Sequence, residues 1–146
     1  MPQLREAPPE AIRKAFPRTW YYPEWKLLVW FPIGVLNEVF ADQLFAFVEM
    51  EEHIQDAPFD RYADFSGLTD LRARLEHTFE SARRRRPVKQ PVRTAIFAEN
   101  QKMFETARIY EHLMDGAMIE VRAFRARAEA ANFLEVSETA LESPPV

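Results

Sequence analysis

The side chains that most often carry out chemistry are few in this sequence and lie far apart. The three histidines, His53, His77 and His112, show no spacing typical of a metal-ligand motif, so we expect them to be solvated surface residues. There is no cysteine, which excludes disulfides, thiolate nucleophiles and cysteine-ligated metals. The three glycines are isolated, so no phosphate-binding loop is present. The sequence therefore predicts no catalytic residue, no metal site and no cofactor.

Asp64 is the best single candidate for a functional group. It ends a predicted strand, and in wound α/β sheets ligands bind at the carboxyl ends of the strands. Ser66 and Thr69 supply hydroxyl groups close by, so Asp64, Ser66 and Thr69 together form a candidate ligand or switch region. Two structural roles compete with this interpretation. An aspartate ahead of Ser-Gly commonly organises a turn, and Thr69 or Asp70 is suited to cap the helix that follows.

The elements that position these residues follow a repeated alternation of apolar strand-type runs and amphipathic helical stretches. Strands are predicted at 18–22, 25–31, 62–65, 92–98 and 119–124, and helices at 36–54, 71–86, 101–114 and 126–134. Strands that alternate with helices favour a parallel sheet, whereas the first two strands are close enough to form a hairpin. We predict a single-domain α/β fold with a mixed, mostly parallel five-stranded sheet, an N-terminal antiparallel hairpin strand and about four helices.

Length and composition limit the kind of protein. With 146 residues, 47% of them hydrophobic, the chain is long enough for one domain, which we place at 18–136. Proline-rich ends predict an N-terminal arm at 1–17, with a short helix at 10–16, and a flexible C-terminal tail at 137–146. No secretory signal and no membrane span is predicted, and a cysteine-free chain suits a reducing compartment, so we expect a cytoplasmic protein.

Charge is unevenly distributed along the chain. The segment between Lys26 and Arg61 contains acidic residues but no lysine or arginine, whereas residues 72–93 are rich in arginine. We expect the run from Arg83 to Arg86 to end a helix in solvent, where cations complement the helix dipole. A docking patch for an acidic partner or nucleic acid is the alternative. The net charge of −4 argues against nucleic acid as the main partner.

Two large apolar residues fall on otherwise polar faces of predicted helices. A helical wheel places Phe45 on the acidic side of the first helix and Ile109 beside charged residues of the third. Exposed apolar residues on two helices favour an interface, so Phe45 and Ile109 are candidate contacts with a protein partner or a second copy of the chain. The buried side of the first helix is predicted to consist of its other apolar residues: Leu36, Val39, Phe40, Leu44, Phe47, Val48, Met50 and Ile54.

Several segments, in this order, resemble the SpoIIAA-like branch of the STAS-like domains, which are small bacterial proteins. They are ADFSGLT at 63–69, TAIFA at 94–98, FETARIY at 104–110, VRAFR at 121–125 and EAANFL at 129–134. The resemblance implies a mixed sheet with an antiparallel first strand and helices on both faces. It also implies relatives that act as non-enzymatic switches, controlled by a phosphorylated serine in a D-S-S-G motif, or that bind lipids in a CRAL-TRIO-like cavity. This chain lacks the D-S-S-G motif, because the segment DFSGLT at 64–69 continues directly into DLR at 70–72, and Ser66 and Thr69 are the only hydroxyl residues near the expected place.

These observations favour a non-enzymatic protein-interaction or regulatory module that acts through its surface. The alternative is a carrier or sensor of a small apolar or lipid-like ligand, held in a pocket under the first helix. An enzyme ranks third, since Asp64 is the only plausible acid or base that the sequence offers. Close packing of Phe47 against the aromatic residues Trp30 and Phe31 would argue for the module, because a filled interior leaves no room for a ligand.

Overall fold

A computed structural model describes residues 8–145 as a mixed α/β fold. The strands are β1 (Ile12–Arg13), β2 (Thr19–Tyr22), β3 (Leu27–Trp30), β4 (Gly34–Asn37), β5 (Asp60–Asp64), β6 (Leu68–Arg72), β7 (Val92–Phe97) and β8 (Ile119–Phe124). The helices are α1 (Glu38–Ile54), α2 (Leu75–Arg85), α3 (Gln101–Leu113) and α4 (Arg127–Leu134), with 3-10 helices at Phe65–Gly67 and Glu138–Leu141. In this part of the chain, no helix is both long and apolar enough to cross a membrane.

The main sheet has six strands in the order β1-β2-β3-β5-β7-β8. Strands β1, β2 and β3 pair antiparallel, whereas β3, β5, β7 and β8 run parallel, which confirms the predicted mostly parallel sheet with an N-terminal hairpin. The short β1 was not predicted, and the helix expected at 10–16 is wrong. Pairing of β1 satisfies backbone groups along the free edge of β2, which outweighs the weak helical pattern of this short segment.

A second, two-stranded parallel sheet formed by β4 and β6 was also not predicted. Because β6 uses residues up to Arg72, α2 begins at Leu75 instead of at residue 71. The prediction that Thr69 or Asp70 caps this helix is therefore wrong: both lie within β6, and the N-terminus of α2 has no side-chain cap. By contrast, Asn37 caps α1 by accepting a hydrogen bond from the Phe40 backbone.

Both faces of the parallel strands are covered, as their largely apolar sequences require. Helix α4 and the 3-10 helix at 138–141 pack on one face, around Tyr62, Ala95 and Leu134. Leu141 is fully buried there, so the segment predicted as a flexible tail contributes to the core. Helices α1, α2 and α3 pack on the other face, where Phe47 lies 5.5 Å from Phe16, centroid to centroid.

The buried side of α1 differs from the helical wheel. Phe47 and Val48 are buried, but Val39, Met50 and Ile54 are 66%, 53% and 62% exposed. The wheel failed because it assumed that the acidic side of α1 faces solvent, whereas this side packs against the basic helix α2 through ion pairs. The predicted contact of Phe31 with α1 is likewise wrong, since Phe31 packs on Tyr62 on the opposite face of the sheet.

Candidate functional site

A cavity of about 180 Å³ lies between the sheet and the three helices α1, α2 and α3. Its wall is mostly apolar: β3 contributes Leu28 and Trp30, α1 contributes Leu44 and Val48, and β7 contributes Ile96. The space is partly open to solvent, and its wall is more apolar than that of the pocket lined by residues 128–139. Its concave shape and mostly apolar lining are typical of sites that bind small molecules.

Short side chains leave this space open. Ala63 and Thr94 lie on the neighbouring strands β5 and β7, where Ala63 is opposite Ile96 and Thr94 is opposite Arg61. These two residues line the cavity together with Ala107 of α3. Both Ala63 and Thr94 retain accessible surface although helices cover this face of the sheet. Larger residues at these positions would fill the cavity, so its existence follows from three small side chains that face the same space.

Two arginines line the cavity, Arg61 of β5 and Arg85 of α2, and of these Arg61 is only partly hydrogen-bonded. The Arg61 side chain is 9% exposed, and its Nη2 donates to Oε2 of Glu52 at 2.5 Å. Its Nε and Nη1 atoms are buried and have no hydrogen-bond partner. Each buried donor left unpaired costs about 1 to 3 kcal/mol. Burial lowers the pKa of Arg61 to about 10, so the group remains a cation at neutral pH.

Arg61 belongs to a buried ion-pair cluster between α1 and α2. Glu52 also accepts from Nη2 of Arg85 at 2.7 Å, while Glu49 accepts from Arg84 at 2.6 Å and from Arg85 at 3.3 Å. Three guanidinium groups therefore share two carboxylates. The expectation that the run from Arg83 to Arg86 ends in solvent is wrong for Arg85, which is 3% exposed and paired with α1, whereas the other three arginines are exposed.

Two more pairs extend this contact toward the start of α1. The guanidinium of Arg74 hydrogen-bonds both oxygens of Glu38, which lowers the pKa of this carboxyl to about 2. Nε2 of His77 lies 2.7 Å from Oδ1 of Asp42, and His77 is 5% exposed, so its prediction as a surface histidine is wrong. The other two histidines are exposed as expected. Among the described residues, no group of histidine, aspartate or glutamate is arranged to hold a metal ion.

Phe45 and Tyr110 lie between α1 and α3 at one end of the cavity. Their ring centroids are 6.3 Å apart, and both side chains line the wall. Burial raises the pKa of Tyr110 to about 12, so its hydroxyl is neutral at pH 7 and able to donate a hydrogen bond. Phe45 was predicted on an outer polar face but is half-buried here, whereas Ile109 is 38% exposed on the outside of α3.

Of the predicted region of Asp64, Ser66 and Thr69, the structure brings Asp64 and Ser66 into contact, on the α4 side of the sheet. Oδ1 of Asp64 accepts from the backbone N–H and the hydroxyl of Ser66 at 2.9 and 2.6 Å. Oδ2 accepts from the Tyr62 hydroxyl at 2.7 Å and from Nε of Arg127 at 3.1 Å. Thr69 lies apart from this group, exposed on β6. The turn role of Asp64 is confirmed, and its acceptor capacity is used within the protein.

Arg61, Glu52 and Tyr110 are the candidate site residues that sequence reasoning missed. Their only sequence signal is weak: Arg61 is a cation directly before the apolar run at 62–65, after a long segment without positive charge. Nothing in that pattern distinguishes an arginine at a cavity from one at the surface. The cavity itself has no sequence motif, because it depends on which small residues the sheet and helices place opposite one another.

Comparison with known proteins gives few matches. No protein-family model matches the chain, and no match is found among the curated proteins. Among solved structures, the chain is similar to the crystal structure of an uncharacterized protein of the DUF3478 family with a SpoIIAA-like fold, from Shewanella loihica PV-4. The two share 16% sequence identity over 86% of this chain and 90% of the other, with a TM-score of 0.48. The fold named for that protein agrees with the resemblance found in this sequence.

Proposed function

We propose that this protein binds a small, mostly apolar molecule in the cavity between α1, α2, α3 and the sheet, as a carrier or sensor. The observation that supports this role is the cavity of about 180 Å³, kept open by Ala63, Thr94 and Ala107. An engineered cavity of about 150 Å³ with an apolar lining binds benzene in another protein, so this volume is sufficient for a small ring. Trp30 lies in the wall, where it provides an intrinsic fluorescence signal for occupancy.

We assign the cavity a binding role without catalysis. His77 and Ser81 both line it, but the Ser81 hydroxyl donates to the backbone carbonyl of His77 at 2.8 Å instead of to the imidazole ring. The ring is held by Asp42 through Nε2. The serine hydroxyl therefore lacks the contact with a histidine base that commonly activates a serine nucleophile.

Binding of toluene, a neutral apolar probe of suitable size, tests this function. We expect saturable binding to the purified protein by calorimetry, with a matching change in tryptophan fluorescence. The variant Ala63→Leu places a larger side chain in the cavity and is expected to abolish binding. Ile109→Ala, on the outside of α3, serves as the control and should bind like the wild type. No toluene binding by the wild type, or unchanged affinity in a folded Ala63→Leu protein, would contradict the proposal.

A protein-interaction role is the second candidate, and a different observation favours it. Val39, Met50 and Ile54 lie on one side of α1 and are each more than half exposed. Exposed apolar residues along one helix are typical of association surfaces. If this surface binds a partner or a second copy, Met50→Glu with Ile54→Glu should reduce association in sedimentation experiments and leave toluene affinity unchanged. A wild-type protein that stays monomeric and captures no partner would rule this role out.

A further inference from the structure

We infer that the ligand carries a single anionic group, and that Arg61 binds this group at the cavity wall. The inference deepens the proposed function and rests on it. The ligand class is a small monocarboxylic acid with an apolar ring or short chain. Arg61 is the starting point because it is a cation, lines the cavity and has two buried nitrogens, Nε and Nη1, without a hydrogen-bond partner.

Arginine chemistry favours a carboxylate as the missing partner. A guanidinium group offers five N–H donors in a planar fork and accepts no hydrogen bond, so only an acceptor can satisfy Nε and Nη1. Carboxylates match this geometry and form stronger, charge-assisted hydrogen bonds than neutral acceptors do. Glu52 accepts only from Nη2 of Arg61, and the guanidinium lies 4.4 Å from the ring centroid of Phe59, so Nε and Nη1 are the nitrogens that lack an acceptor.

The local charge supports one negative charge on the ligand. The hydrogen-bonded cluster contains Arg61, Arg84 and Arg85 but only Glu49 and Glu52, so it holds one positive charge in excess. The carboxylate of Asp60, the residue before Arg61, is engaged by Arg93 at 3.1 Å. An excess of buried positive charge is costly even where each arginine touches a carboxylate, and a single anion at the cavity would neutralise the excess of this cluster. A ligand with two negative charges would instead leave the cluster with one negative charge in excess.

The volume and the wall limit the rest of the ligand. Benzene occupies an engineered cavity of about 150 Å³, so about 180 Å³ suits a molecule of roughly six to ten non-hydrogen atoms. Apart from Arg61, Arg85 and a few polar side chains of α2, the surrounding residues are largely apolar, including Leu44, Val48 and Ile96. Benzoate or a short fatty acid such as hexanoate combines a matching size, an apolar body and one carboxylate.

Benzoate and toluene provide a matched test, because they differ mainly in a carboxylate in place of a methyl group. For the wild type we expect calorimetry to show at least tenfold tighter binding of benzoate than of toluene. Benzamide, which is similar in shape to benzoate but neutral, is expected to bind at least tenfold more weakly than benzoate. Equal affinity for the three probes would overturn the inference while leaving the proposed cavity function intact. If none of them binds, the proposed function itself fails.

Variants then assign the effect to Arg61. Arg61→Met removes the charge and is expected to lose the preference for benzoate over toluene while still binding toluene. Arg122→Met is the matched control, because Arg122 of β8 is also a strand arginine paired with a carboxylate, that of Glu120, but does not line the cavity. It should keep the preference. An Arg61→Met protein that retains the preference would overturn the assignment, and if this variant does not fold, the wild-type comparison of benzoate, benzamide and toluene still decides the inference.

Discussion

Replacing Asp64 by asparagine separates a structural role from a ligand-binding role at the strongest sequence candidate. Asp64 is 1% exposed and accepts four hydrogen bonds, two on each carboxylate oxygen. Asparagine has the same shape but replaces one oxygen by an NH₂ donor. Whichever way the amide lies, this donor faces the donors of Ser66 or those of Tyr62 and Arg127. The substitution therefore creates a buried donor–donor contact and leaves Arg127 without its carboxylate.

The magnitude follows from these contacts. Removing one member of a buried ion pair costs about 3 to 5 kcal/mol, and the Arg127 side chain is 21% exposed, which favours the lower end. We expect the free energy of unfolding to fall by about 3 kcal/mol, a large part of the roughly 5 to 15 kcal/mol that stabilises a domain. For a chain of this length the loss corresponds to a Tm decrease of about 6 to 12 °C.

Thermal and urea unfolding of the wild type, Asp64→Asn and Tyr62→Phe provide the measurement. Tyr62→Phe removes one hydrogen bond to the same carboxylate and is expected to cost only about 1 kcal/mol. Benzoate affinity of folded Asp64→Asn should be unchanged, because Asp64 does not line the cavity. A stability loss below about 1 kcal/mol, or a loss of benzoate binding without a change in Tm, would refute a purely structural role for Asp64.

Three further outcomes follow from the structure. Phe47→Ala should lower the free energy of unfolding by about 3 to 5 kcal/mol in urea titrations, because Phe47 is buried against Phe16 and does not line the cavity. The control Met50→Ala, at an exposed position of the same helix, should change this free energy by less than about 0.5 kcal/mol. Thr69→Ala should also change the free energy of unfolding by less than about 0.5 kcal/mol, since Thr69 is exposed on β6 and caps no helix. A loss of 1 kcal/mol or more in the same titrations would contradict this position. Hydrogen bonds from Arg74 lower the pKa of Glu38 from 4.5 to about 2, so the contribution of this carboxylate to stability is complete above pH 4.5 and disappears as the pH falls toward 2. In acid-unfolding curves the stability of Glu38→Gln should therefore decline less than that of the wild type over this interval, and parallel curves for the two proteins would argue against a stabilising Glu38–Arg74 pair.

The sequence alone was sufficient to predict the elements whose signal is local. The strand predicted at 119–124 coincides with β8. The strand predicted at 92–98 is one residue longer than β7, and the helix predicted at 101–114 is one residue longer than α3. These predictions succeeded because the spacing of apolar residues within a single element reveals its period. The turn at Asp64 was predictable for the same reason, since its side chain contacts residues within two positions along the chain.

Only the tertiary structure decided which faces of these elements meet. Glu49 contacts Arg84 and Asp42 contacts His77 across 35 positions of the chain, and these pairs turn the acidic side of α1 toward α2. Phe45 consequently lies at the cavity, and Val39 on the opposite side of the helix is left exposed. The cavity beside Arg61 arises in the same way, because its volume depends on small residues from separate elements that face one space. Neither feature is encoded within a single element, so no local pattern could have predicted it.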